Sequence, residues 1–150
     1  MTRSASILLV EDNPMDVELI IDAFKEARLG NKIQVAGNGK QALEFLFGQG
    51  SYGDRKQYPL PDIVLLDLKM PGIDGHEVLK RIKSTDMLKR IPVIILTSSR
   101  DEGDRAMSYD NGANSYLVKP VSFEDFLNVV KQVSDYWLIL NVEPPLDETL

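Results

Sequence analysis

Five polar side chains stand where short apolar runs of this sequence end: Glu11 and Asp12 after Ile7 to Val10, Asp67 after Ile63 to Leu66, Thr97 after Pro92 to Leu96, and Lys119 after Ser115 to Val118. Carboxylates brought within a few ångström of one another repel strongly even at an effective dielectric of about 20, so Glu11, Asp12 and Asp67 together ask for a cation. A purely oxygen ligand set selects a hard ion, and Mg2+ is the expected one. An aspartate, an acidic pair, a hydroxyl and a lysine then make a phosphoryl-transfer site. Asp67 is the nucleophile, Mg2+ and Lys119 neutralise the phosphoryl oxygens, and Thr97 donates its hydroxyl. Each residue also has a plainer use: Asp67 capping a turn, Thr97 ending a strand, Lys119 solvated, Glu11-Asp12 a charged turn. It is the set of five, in this order and at these places, that favours a site.

The elements that must position these groups are legible in the same pattern. Ile63 to Leu66 is an unbroken apolar run that meets Asp67 and then Pro71-Gly72, the mark of a strand buried on both faces and stopping at a turn. Before it, Ser6 to Val10 reads as a strand, and Asn13-Pro14 as a cap and first position of a helix carrying Val17, Ile20, Ile21, Phe24 and Ala27. Lys32 to Ala36 is a second strand, and Asn38 caps a helix through Phe47. Gly48 to Pro61, with Tyr52 and Tyr58, reads as a long surface loop of the functional kind. Beyond Asp67 come a helix from Gly75 to Ser84, a strand from Pro92 to Leu96, and a helix from Asp101 to Asn111 whose lack of Val, Ile and Leu predicts a thin buried face. Ser115 to Val118 is the fifth strand, and Ser122 with Asp125 starts a last helix running to about Leu140. Strand and helix alternating five times give an α/β fold, a doubly wound (βα)5 parallel five-stranded sheet with right-handed crossovers. Ligands of such sheets bind beyond the carboxyl ends of the strands, where the five polar residues should meet.

Composition excludes other classes. The 150 residues suffice for one domain, expected over residues 1–140, followed by a short tail at 141–150 that is too small for an output domain. A net charge of -6 sets the surface against nucleic acid. No apolar run reaches the ~20 residues of a membrane helix. No cysteine is present, which removes disulfides and thiolate sites, and the cytoplasm is the default location.

From Ile7 to Tyr136 the chain resembles the CheY-like receiver domain of response regulators, the module of two-component phosphorelays. The match consists of Glu11-Asp12, Asp67 with Met70-Pro71-Gly72 and Asp74-Gly75, Thr97 followed by small Ser98, and Lys119-Pro120. The resemblance implies a flavodoxin-like strand order 2-1-3-4-5 and a phosphoryl group accepted on Asp67 from the phosphohistidine of a sensor histidine kinase. It implies Mg2+ held by Asp12 directly, Glu11 mainly through water, Asp67, and the backbone carbonyl of Lys69. Lys119 would bond the phosphoryl group, and its bond to Pro120 would be cis. A phosphoryl group on Asp67 is roughly dianionic and should draw the Thr97 hydroxyl toward it, vacating space for an aromatic ring. Tyr116 matches the family's switch aromatic. The face of the fourth helix, fifth strand and last helix would then change for partner binding or homodimerisation.

Along the last helix Phe123, Phe126, Leu127, Val130, Val133 and Trp137 form one apolar stripe, while Val129, Tyr136 and Leu140 widen it beyond what one sheet face covers. A second copy could cover the excess, or Tyr136 and Trp137 could fold back on their own domain. The Tyr136-Trp137-Leu138 ending and the long loop before Asp67 are similar to single-domain response regulators of the cyanobacterial phytochrome type. That resemblance implies a light-sensing kinase, such as a bacteriophytochrome, and a homodimer. Two other classes fit less well. A Mg2+-dependent phosphohydrolase working through an aspartyl phosphate would want a general acid where Lys69 stands. An FMN protein would want hydroxyls and free amides where Glu11-Asp12-Asn13 is acidic. The lone His76 reads as a helix-start residue, since no second histidine exists to share a metal.

Overall fold

Strands buried on both faces make the centre of the sheet, and they are the apolar runs that end on site residues. The computed structural model describes residues 5–27 and 30–134. Its strands are β1 (Ile7–Val10), β2 (Ile33–Ala36), β3 (Ile63–Leu66), β4 (Val93–Thr97) and β5 (Ser115–Val118). Its helices are α1 (Pro14–Glu26), α2 (Gly39–Phe47), α3 (Gly75–Lys83), α4 (Glu102–Asp110) and α5 (Phe123–Val133). All pairings are parallel and the strand order is β2-β1-β3-β4-β5, the doubly wound arrangement expected. Every residue of β1, β3 and β4 is buried, whereas β5 is half-buried throughout.

Side-chain alternation along the strands splits the core into two layers. Leu8, Val10, Val64, Leu66, Val93 and Ile95 pack with α2 and α3 on one face. Ile7, Leu9, Ile63, Leu65, Ile94 and Leu96 pack with α1 and α5 on the other. Register then fixes the sheet edge. Val10 lies opposite both Ala36 and Leu66, Leu66 opposite Ile95, and Thr97 opposite Val118, so the residues just beyond these positions emerge along one line.

The helices start where cap chemistry says they should. Asn13 accepts from the amides of Met15 and Asp16, Asn38 from Gln41, Asp74 from Glu77, Asp101 from Asp104 and Ser122 from Asp125. Helix α4 buries Ser108 alone, the thin face its composition predicts. The described part of α5 ends at Val133. Tyr136, Trp137, Leu140 and the tail at 141–150, named above for a dimer face and a terminus, lie outside the described residues. Val129 is half-buried against the α1–α5 layer of its own domain.

The segment from Gly48 to Pro61 is the long surface loop expected, but its aromatic rings turn inward. Tyr52 ends a single 3-10 turn, Gly50–Tyr52, and is buried. Phe45, Tyr52 and Tyr58 meet edge to face, with centroids 5.0 to 6.1 Å apart. Arg55 donates to the carbonyls of Phe45 (2.8 Å) and Leu46 (2.6 Å), closing the carboxyl end of α2. Aromatic burial and a guanidinium on orphan carbonyls make this segment a structural buttress. No helix among the described residues is long and apolar enough to cross a membrane.

Candidate functional site

At the carboxyl edge of the sheet Glu11, Asp67 and Thr97 are buried polar residues, 2%, 6% and 0% exposed. Each follows or ends a strand, and backbone bonds to the neighbouring strand fix it. The Asp67 amide donates to Val10 (3.0 Å), the Glu11 amide to Ala36 (3.0 Å), and the Lys119 amide to the Thr97 carbonyl (2.7 Å), so the ladder continues one residue past the strands and carries the side chains with it. Helix α3 presses on Asp67 from behind. A Cβ on Gly75 would overlap the Asp67 carbonyl oxygen and lie 2.6 Å from the Leu68 Cα, so only glycine lets this helix start so close. Gly72, at φ +78°, makes the intervening turn.

Lys119 is the hub. Its ammonium lies 3.1 Å from Asp67 Oδ2 and 2.8 Å from Asp16 Oδ2, and it also pairs with Glu11 Oε1. The other Asp67 oxygen accepts from the Leu68 amide (2.8 Å), and the other Glu11 oxygen from the Asn13 amide (3.2 Å). Burial pushes the Glu11 carboxyl up to about 7; the Lys119 hydrogen bond opposes this and the Asp67 charge adds to it. Burial alone would lower the Lys119 ammonium, but its hydrogen bonds to Asp16 and Glu11 and the Asp67 charge reverse that and raise it.

Glu11, Asp12 and Asp67 bring ligand oxygens within 4.8 Å of one another. At that separation two unit charges repel by about 3 kcal/mol at an effective dielectric near 20, and the Lys119 ammonium offsets this at Glu11 and Asp67. Glu11, with its raised proton affinity, is the member that a divalent cation would hold ionised. The donor set is oxygen throughout, with Asp12 exposed at the mouth, and it fits a hard divalent ion.

The structure therefore brings Glu11, Asp12, Asp67, Thr97 and Lys119 to one edge, as their spacing predicts. Ser98 is exposed beside Thr97, whose hydroxyl accepts from the Ser99 amide at 3.4 Å. Tyr116 is half-buried against the core, and its hydroxyl donates to the Ser99 carbonyl (3.0 Å). One expectation is corrected: no peptide bond among the described residues is cis, so Lys119–Pro120 is trans. Trans is favoured for bonds to proline by about 0.5–1 kcal/mol, and the trans chain already delivers the Lys119 ammonium to its carboxylates.

Two carboxylates escaped the sequence reading. Asp16 reaches Lys119 from the first turn of α1, and the signal for it was its place in a helix that begins over the sheet edge. Asp104, on the first turn of α4, gathers Lys69, His76 and Ser99. Lys69 thus points to Asp104, and His76, expected as a plain helix-start residue, is bonded to it as well.

The family model for the response regulator receiver domain matches residues 7–131. The probable methanogenesis regulatory protein FilR2 of Methanothrix harundinacea is 45% identical over 139 residues, 92% of this chain and 86% of that protein. Response regulator Rcp1 of Synechocystis sp. is 39% identical over 132 residues, 88% of each protein. Among solved structures, the phosphorylated cyanobacterial phytochrome response regulator RcpA superposes with a TM-score of 0.89 at 36% identity, over 95% of this chain and 100% of that one. The Mn2+-bound form of Rcp1 superposes with a TM-score of 0.84 at 37% identity, over 94% and 99%.

Proposed function

We propose that this chain, which belongs to the response regulator receiver family and is close to the phytochrome response regulators, works in a phosphorelay by accepting a phosphoryl group on Asp67. The observation that carries the reading is a buried carboxylate at the end of β3, paired with Lys119 and set within an acidic cluster that fits a divalent ion. In the transfer an Asp67 carboxylate oxygen forms the new P–O bond as the P–N bond of a kinase phosphohistidine breaks, and the electron pair returns to the imidazole nitrogen. Lys119 neutralises a phosphoryl oxygen, and the Leu68 amide, already on Asp67 Oδ1, holds the carboxylate in place. Asp12, Asp67, the Lys69 carbonyl and Glu11, mainly through water, would hold Mg2+, which when bound supplies charge neutralisation for the incoming phosphoryl oxygens. Water later cleaves the aspartyl phosphate, the only hydrolysis this reading asks of the chain.

Thr97 and Tyr116, joined through Ser99, are the groups that would report the phosphoryl group to the face of α4, β5 and α5. The partner is a sensor histidine kinase, in the cytoplasm. Rcp1 and RcpA support a phytochrome-type sensor, while FilR2 carries a name from a different physiology, so identity of the kinase is a property of the docking surface. The last-helix face is proposed as a homodimer surface.

Intact mass after incubation with Mg2+ and acetyl phosphate tests the acceptor. One phosphoryl group is expected on the wild type and none on Asp67→Asn; uptake by both, or by neither, overturns the assignment. Size exclusion of the same samples reports the dimer.

A further inference from the structure

The polar side chains behind the acceptor converge on one carboxylate. Asp104, in the first turn of α4, accepts from Ser99 Oγ at 2.7 Å, pairs with Lys69 Nζ at 3.1 Å, and holds His76 Nε2 at 3.0 Å. Its partners come from the β4–α4 loop, the β3–α3 loop and the first turn of α3. The second nitrogen of the His76 ring, Nδ1, is buried with no hydrogen-bond partner among the described residues, so within them Asp104 orients the ring through hydrogen bonding. Ser99 extends the cluster inward, because its amide faces the Thr97 hydroxyl and its carbonyl receives the Tyr116 hydroxyl.

Two positions in this cluster follow directly on the site. Lys69 lies two residues past Asp67, and Ser99 two residues past Thr97. A phosphoryl group on Asp67, two residues from Lys69, would add a more highly charged anion to the Asp104, Asp101 and Asp74 carboxylates that already act on the Lys69 ammonium. Helix α4, which buries Ser108 alone, has little core contact to oppose a change of partner.

We infer that Asp104 is a positioning residue of the phosphoryl switch: it holds Lys69 and, through Ser99, anchors α4 in the resting arrangement, and phosphorylated Asp67 competes with it for the Lys69 ammonium. The inference rests on Asp67 being the acceptor. Lys69 is 65% exposed, and pairs of that kind move an equilibrium by roughly two- to five-fold.

The test is the rate of phosphoryl loss, followed by intact mass after the acetyl phosphate donor is removed, for the wild type, Asp104→Asn, Lys69→Met and the double variant. Asp104→Asn should slow the loss by roughly two- to five-fold, because the freed Lys69 stays with the phosphoryl group and screens it from water. The same substitution should change nothing on the Lys69→Met background, whereas a merely structural Asp104 would shift both backgrounds alike. Lys69→Met by itself should speed the loss, and it approaches the pair from an exposed residue whether or not Asp104→Asn folds. Equal rates in wild type and both single variants, or an equal shift in both backgrounds, overturn the inference while the acceptor stands. A wild type that gains no phosphoryl group overturns both.

Discussion

Helices α3 and α4 invite a direct comparison. Each spans nine residues, follows a strand that ends on a site residue, and is capped by an aspartate that accepts from the amide three positions on. Yet α3 buries Gly75, Val78, Leu79 and Ile82, while α4 buries Ser108 alone. The Asp67 side of the site is therefore backed by a helix held in the core, and the Thr97 side by a helix held through polar contacts. Rearranging the first would disrupt packing worth several kcal/mol, whereas each polar contact of the second is worth about 0.5–1.5 kcal/mol net. The switch proposed above, with Asp67 kept still as nucleophile and the α4 face free to move, is served by this asymmetry.

The largest effect should come from the core side. Leu79→Ala, at a fully buried position, should lose about 2–5 kcal/mol in urea unfolding, while Met107→Ala on α4, 49% exposed, should stay within about 0.5 kcal/mol. Similar losses at the two positions would erase the contrast. Next is Gly75→Ala, where overpacking against the Asp67 carbonyl should cost about 1–3 kcal/mol and slow phosphoryl uptake as Asp67 is displaced. A variant as stable and as readily phosphorylated as the wild type would show that the close approach is not needed.

Ser108→Ala removes the hydroxyl that donates to the Asp104 carbonyl at 2.8 Å, and should cost about 0.5–1.5 kcal/mol. Amide exchange should rise in α4 and stay unchanged in α3; a rise in both would mean that the helices open as one unit. The smallest effect is one of pH. The Asp104 carboxyl, held at about 2 against an ordinary 3.8, binds fewer protons in the folded state than in the unfolded chain. Its contribution to stability is complete above the unfolded value and is lost as pH falls through the folded one. Between pH 4 and 2 the wild type should therefore lose more stability than Asp104→Asn, and parallel curves for the two would remove Asp104 from the account of α4.

The sequence reading succeeded where structure is local and periodic. The β3 run ending at Asp67 needs only its own residue types, and β5 fell at Ser115–Val118 as read. The site followed because parallel strands in an alternating fold must deliver their ends to one edge, which made Glu11, Asp12, Thr97 and Lys119 partners of Asp67 before any distance was known. What stayed hidden depends on contacts between elements with no shared local pattern. His76 and Asp104 are 28 residues apart and on different helices, and neither has a motif that names the other. Tyr52 and Tyr58 lie in a stretch rich in glycine and proline, whose composition says loop even though the rings close on Phe45. The Lys119–Pro120 bond was expected to be cis by family likeness alone, without a physical signal in the neighbouring residues.

The position of Lys119 in the chain bears on how the site is assembled during synthesis. Its ammonium bonds Asp16 across 103 residues and Asp67 across 52, so the acidic edge is made long before the lysine that neutralises it. A nascent chain that has completed β1, β3 and β4 carries Glu11, Asp12, Asp16 and Asp67 without that internal cation. Adding β5 supplies the sheet's last edge and the missing charge in one step, and pairings so distant in sequence form late and slowly. The ammonium that pairs with Glu11, Asp16 and Asp67 in the finished molecule is thus the last of these charges to be made during synthesis.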